Sequence, residues 1–389
     1  MEVADTASRG PNASIVFAHS ALGRSHGKSG KPCQDSSCCC HEPSDGGAKF
    51  ACIIVADGHG GDAYFRSHLG SRFAVEAARG CLTNRELHKA LAELCYQNDD
   101  APPIKKEKER ERLIQHIKEN VIGRWNVLVK EHLEANPFSD DDLTSIPEKY
   151  AARYRKNESI ESAYGSTLIS VLWTDAFLLA LQLGDGSCVI VDDSGEFSQP
   201  MPEDERCFLN MTTSICDEDA INSFRHYFSQ SHPCVAIIGT DGITDSFAGD
   251  KGLYNFYRLI LTAFSQNDND GEESARLANY LPHLSEKGSG DDVSIAMIAN
   301  KELIKNIDFS VPEEIDQDQE DDAPINQEIE EVQGGEVIDI NETSEIDDIK
   351  EINELTEIND FPNPSNDAPK SDSQILPNAA LGSLLDADA

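Results

Sequence analysis

The 389-residue chain is poor in positive charge. Its 32 Lys and Arg stand against 71 Asp and Glu, a formal net charge of −39. Nucleic-acid binding, which rests on basic side chains neutralising phosphates, is thereby disfavoured. Long apolar runs are missing too. None approaches the roughly 20 residues that cross a bilayer, and the opening MEVADTASRGPNAS lacks the apolar stretch of a secretory signal. The eleven cysteines are odd in number and irregularly spaced, which suits reduced thiols and a cytoplasmic protein better than a disulfide framework. Cys33, Cys38, Cys39, Cys40 and His41 gather metal-ligating residue types. Three adjacent cysteines do not easily point at one metal, however, and no second Cys-x-x-Cys knuckle completes a zinc site. P-loop, Gly-x-Ser-x-Gly and kinase signatures are likewise absent, which removes the common nucleotide and serine-nucleophile chemistries.

What is present divides the chain into three parts: a polar N-terminus over 1–13, a folded domain over 14–301, and a tail over 302–389. The stretches SIVFAHSAL and KFACIIVAD read as strands. Phe65, Leu69, Phe73 and Ala77 then recur at helical spacing, and helix continues through 84–135. There Leu113, Ile114, Ile117, Val121, Ile122, Trp125 and Val129 make one apolar face and the charged run 105–112 a solvated one. Residues 138–160 read as loop and connector. From Tyr164 three apolar runs separated by Asp- and Gly-rich turns read as an antiparallel meander. HPCVAIIGTDGITDSF is strand and turn, YNFYRLILTAF helix, and GSGDDVSIAMIAN a turn into a last strand. Few βαβ repeats occur, so the fold class is α+β.

The tail carries 26 acidic residues against three lysines and few aromatics. It cannot bury enough apolar area to offset chain entropy and reads as disordered. Ile346, Ile349, Ile352, Leu355, Ile358 and Phe361 recur in it every third residue, and Val337-Ile338-Asp339-Ile340 is a strand-like scrap. Both suit a segment that docks a partner protein.

The chemistry concentrates in glycine-flanked aspartates at strand ends. Ile54-Val55-Ala56 runs into Asp57-Gly58-His59-Gly60-Gly61. The pattern returns at Gly184-Asp185-Gly186, at Thr240-Asp241-Gly242 and at Gly290-Asp291-Asp292, with a further carboxylate at Asp35. Carboxylates brought together repel unless neutralised. Oxygen-only ligands select hard divalent ions such as Mg²⁺ or Mn²⁺, and a pair of such ions suits hydrolysis of a phosphate ester.

These motifs, with Gly165-Ser166-Thr167 and Gly239-Thr240-Asp241-Gly242-Ile243-Thr244-Asp245, resemble in order and spacing the metal-dependent protein phosphatases, type 2C or PPM family, over roughly residues 14–300. Pro32-Cys33-Gln34-Asp35 resembles the bacterial branch. The resemblance implies an α-β-β-α sandwich of two antiparallel sheets, two core Mn²⁺ or Mg²⁺ ions with a third, weaker one, and dephosphorylation of phosphoserine and phosphothreonine proteins. It implies that Asp57 bridges the metals, that the Gly58 carbonyl, Asp241 and Asp291 complete the pair, that Asp35 acts through water, that Asp185 serves the third ion, and that His59 is the general acid. The family often has Glu-Asp where this chain has Gln34-Asp35, and an arginine where it has Gly30. Arg24, His26, Lys28 and Lys31 are the nearby substitutes for gripping substrate phosphate, His26 and Lys28 first among them, and a phosphoprotein-binding module with little turnover is the alternative reading.

Overall fold

The computed structural model describes residues 14–310, apart from 45–46, 97–102, 203, 205 and 208–211. The expected tail motifs at 337–361 lie outside the described residues, as does the N-terminus.

In chain order the first elements are β1 (Ile15–Ala21), α1 (Arg24–Ser29), β2 (Ser36–Ser44) and β3 (Gly47–Ala56). The helical block follows as α2 (Ser67–Leu82), α3 (Arg85–Cys95), α4 (Pro103–Ala135), α5 (Asp140–Thr144) and α6 (Glu148–Arg155). Next come β4 (Leu168–Thr174), β5 (Leu178–Leu183), β6 (Ser187–Val191), β7 (Phe197–Ser198), α7 (Ala220–Ser223), β8 (Arg225–Ser229) and β9 (Val235–Gly239). The last are α8 (Asp241–Thr244), α9 (Asp250–Gln266), α10 (Asp270–Lys287), β10 (Val293–Ala299) and α11 (Lys301–Ile304).

The strands form two five-stranded sheets, ordered β1-β10-β9-β6-β7 and β2-β3-β4-β5-β8, with every pairing antiparallel. This is the expected sandwich. β3 shows why its sequence is apolar without alternation. Ala51, Ile53 and Val55 point into the layer between the sheets, with Ile169, Val171, Trp173, Ala236 and Ile298. Cys52, Ile54 and Ala56 point the other way, under the helices, with Ala74, Ile117, Val121 and Trp125. A strand covered on both faces has no polar side to display. α4 buries Ile114, Ile117, Val121, Trp125 and Val129 along one stripe, and its Trp125 Nε1 donates to the Gly70 carbonyl of α2 at 3.0 Å.

Three expectations are corrected. Residues 138–160 are not plain connector but carry α5 and α6, because Ser139 and Asp142 close a reciprocal capping box. The meander from Tyr164 is split. β4 pairs with β5, but β6 crosses to the other sheet and pairs with β9 and β7. The crossing turns at Gly184, whose φ of 105° only glycine adopts readily. Ordered structure also runs past 301. Ile304 and Phe309 are buried, and Phe309 meets Phe197 edge-on at 6.4 Å between centroids. The Cys38–His41 run lies within β2, where successive side chains face opposite ways, so these residues do not converge on a metal.

Candidate active site

Five acidic residues arrive at one edge of the sandwich from separate elements: Asp35 just before β2, Asp57 just after β3, Asp185 in the β5–β6 turn, Asp241 at the start of α8 and Asp291 before β10. For Asp35, Asp57 and Asp241, burial and proximity register in protonation. Burial pushes the Asp35 carboxyl up to about 8, with Asp292 and Asp241 adding to the rise. Burial pushes Asp241 up to about 8 as well, helped by Asp57, Asp185, Asp291 and Asp245. Asp57 is raised well above the usual carboxylate range, first by burial, then by Asp35, Asp291 and Asp185. Asp245, the last residue of the Gly239–Asp245 motif, is raised by burial and then by Asp185 and Asp291.

The local frame explains why the motifs need their residue types. Asp57 is held through its backbone. Its N–H donates to Thr167 Oγ1 at 3.0 Å, and its carbonyl accepts from the Ser166 hydroxyl at 2.7 Å and the Thr167 N–H at 2.8 Å. The carboxylate is thereby left free to face the cluster. A Cβ on Gly58 would stand 2.6 Å from the Gln34 carbonyl and 2.7 Å from that of Ser67, so the two segments pass too closely for any side chain. Gly58 N–H in turn donates to the Gln34 carbonyl at 3.1 Å, and His59 N–H to that of Gly165 at 3.2 Å. The His59 ring meets Tyr64 edge-on at 4.8 Å, and burial lowers its imidazole to about 4. Asp35 accepts from Thr240 Oγ1 at 2.7 Å, while that same oxygen accepts from the Ser294 N–H at 3.0 Å.

Asp292 was missed at the sequence level. It is 2% exposed and accepts from Gly23 N–H at 2.6 Å, Gln34 N–H at 2.6 Å and His26 Nδ1 at 2.8 Å. It therefore ties α1 and the Gln34-Asp35 loop to the turn before β10. His26, Asp291 and Asp292 bring one ligand atom each within 4.8 Å of one another, but the Asp292 oxygens are already taken by these donors, and the trio is a scaffold. The structure thus sets His26 against Asp292, whereas Lys28 is an exposed residue of α1 with no ion-pair partner among the described residues. The nearby Arg24 pairs with Glu286 at 2.8 Å.

The residues present fit hard divalent cations. Several carboxylates crowd together, and burial and mutual repulsion, rather than any neighbouring cation, dominate their titration. Gln34 is 7% exposed; its Nε2 donates to Ser67 Oγ at 2.7 Å. Its Oε1 is a buried acceptor that meets no donor among the described residues. A hydrated cation brings both missing partners, positive charge for the carboxylates and water protons for the amide.

Comparison with known proteins follows the same line. The family model described as protein phosphatase 2C matches residues 22–282. Among solved structures, the chain is similar to the serine-threonine phosphatase 2C from Toxoplasma gondii, at 14% identity and a TM-score of 0.45, covering 75% of this chain and 96% of that one. It is similar to the serine/threonine phosphatase Stp1 from Staphylococcus aureus at 11% identity and a TM-score of 0.42, covering 73% and 94%. It is also similar to the catalytic domain of the serine threonine protein phosphatase PstP, solved in complex with two manganese ions, at 16% identity and a TM-score of 0.40, covering 73% and 97%. No curated protein matches.

Proposed function

Because this chain belongs to the protein phosphatase 2C family, we propose that it is a turning-over serine/threonine protein phosphatase that works with two core Mn²⁺ or Mg²⁺ ions. The observation that carries the reading is the convergence of Asp35, Asp57, Asp185, Asp241 and Asp291 from separate elements at one sheet edge, where burial first and neighbouring carboxylates second raise Asp35, Asp57 and Asp241.

In this reading Asp57, the Gly58 carbonyl, Asp241 and Asp291 hold the core pair, Asp35 holds hydrating water, and Asp185 serves a third ion. Bound divalent ions supply a water of lowered pKa and positive charge against the phosphate oxygens. The chain's own residues do the rest. Ser166 and Thr167 fix the Asp57 backbone. Thr240 fixes one oxygen of Asp35 and so sets the direction in which its carboxyl faces the cluster. His59, held between Gly165 and Tyr64, is in this reading the proton donor to the departing serine or threonine oxygen; since burial alone holds its imidazole at about 4, it does this with the negative charge of a bound phosphate raising it. Lys28 is an exposed cation offered to the substrate phosphate in this reading, and His26 orients its helix through Asp292. Phosphoproteins are the substrates, and the acidic tail is a docking segment for a partner protein.

The test is hydrolysis of p-nitrophenyl phosphate and of a phosphothreonine peptide by the full chain, in EDTA, Mg²⁺ and Mn²⁺, with Asp57→Asn alongside. Metal-dependent turnover that the variant lacks supports the reading. Folded protein inert in both metals would instead favour a phosphoprotein-binding module, for which Gln34 and Gly30 are the specific motives.

A further inference from the structure

β2 and β3 bring two sulfurs face to face outside the carboxylate cluster. In their antiparallel register Cys40 stands directly opposite Cys52, whereas Cys38 faces Ile54 and Cys39 faces Ile53. Directly opposed residues in such a ladder have Cα atoms about 4.5 or 5.5 Å apart, depending on the pair type. Both values fall within the range of about 4.4–6.8 Å that a disulfide spans. The two side chains also share a face, since Cys40 packs against the apolar layer under the helices that contains Cys52.

The two thiols are not equivalent. Cys52 is fully buried and Cys40 only partly. The neighbouring Cys52 thiol is the main cause lowering the Cys40 thiol, with the Arg79 guanidinium adding to it, while Cys40 and burial raise Cys52. A lowered, partly buried thiol next to a raised, fully buried one is the arrangement of an attacking and a resolving cysteine. A cleft of about 810 Å³ between β1, β2 and α2 is lined by Cys38, which shares a strand face with Cys40, and by Arg79.

We propose that Cys40 and Cys52 are a peroxide-responsive pair that closes into a reversible cross-strand disulfide, with Cys40 oxidised first. The Cys40 sulfur attacks one oxygen of hydrogen peroxide, the O–O bond breaks, and the departing hydroxide takes the thiol proton to leave as water. Cys40 becomes a sulfenic acid. The Cys52 sulfur then attacks the Cys40 sulfur, an S–S bond replaces the S–O bond, and hydroxide leaves with the Cys52 proton as a second water. One peroxide gains two electrons and the two thiols lose two. A dithiol reductant reverses the step.

The experiment treats the full chain with graded hydrogen peroxide, blocks free thiols, digests without reduction and maps the sulfurs by mass spectrometry. At the lowest effective dose the expected product joins the Cys40 and Cys52 peptides, lighter by two hydrogens and restored by dithiothreitol. Cys52→Ala should stop at a sulfenic acid on Cys40 that dimedone captures. Cys40→Ala should show neither the link nor a tag on Cys52, and Cys39→Ala should behave as the parent. Circular dichroism on each variant separates lost folding from lost chemistry. Oxidation beginning at another cysteine, a Cys40 link to a different partner, or no capture on Cys40 in a folded Cys52→Ala protein would each overturn the proposal.

Discussion

Replacing Asp292 with Ala strands three donors at once, two backbone N–H groups and the His26 imidazole. Buried donors left without acceptors are costly, so this variant is expected to lose roughly 3 kcal/mol in urea denaturation, whereas Asp185→Asn, at an exposed turn, should lose little. Activity should divide the residues differently. Asp57→Asn, Asp241→Asn or Asp291→Asn should each lower metal-dependent hydrolysis by more than about 100-fold while the chain stays folded. Thr240→Val, which removes the hydroxyl that donates to Asp35 and accepts from the Ser294 N–H, should cost about 10- to 100-fold. The carboxylates also set a pH dependence. Burial raises Asp35 and Asp241 to about 8 in the fold, against the ordinary aspartate value of 3.8. Between those values the folded chain holds protons that the unfolded chain has released, so its stability falls as pH rises through that window. In EDTA the melting temperature should therefore drop from about pH 5 to pH 8, and Mg²⁺ or Mn²⁺ should recover it at the upper end. A flat profile would contradict the clustering. The glycine-flanked aspartates were legible because strand, carboxylate and glycine stand next to one another in the chain. Asp292 was not, because the doublet Asp291-Asp292 offers two identical side chains and only the fold decides which one turns inward.

Among the elements, α4 was the plainest to read, since its apolar residues keep one stripe and that stripe is what it buries. Trp125 is its anchor, fully buried and bonded to the Gly70 carbonyl. Trp125→Ala should cost about 3–5 kcal/mol by urea denaturation without altering metal affinity. The strands were legible as strands but not as neighbours. The runs on either side of Gly184-Asp185-Gly186 look alike, yet β5 and β6 lie in different sheets, because sheet membership is settled by partners more than forty residues away such as Val235–Gly239. The short helices at 140–155 were hidden for another reason. Asp, Ser and Pro are turn formers in isolation, and here the same residues serve as caps.

For the molecule as a whole, the folded body does not stop where charge composition shifts. A chain ended after Lys301 loses the burial of Ile304 and Phe309, about 1.5–3 kcal/mol for each side chain, and should melt several degrees below a chain ended after Ser310. Equal melting temperatures would show that this last segment adds nothing to the core. The sandwich itself was legible through the ordered motifs, while its limits were not, because α11 and Phe309 carry the same mixed polarity as the acidic sequence that follows.

The pairing of β1 with β10, Ile15 opposite Ala299, has a consequence for the birth of the protein. Asp35 and Asp57 leave the ribosome early, but Asp291, Asp292 and the strand that seats them come more than two hundred residues later. At roughly 5–20 residues per second that is a delay on the order of tens of seconds. Throughout it the first sheet's edge has no partner and the acidic cluster lacks its last members. A nascent chain, or any product of premature termination before residue 299, therefore lacks the assembled cluster on which the proposed hydrolysis depends.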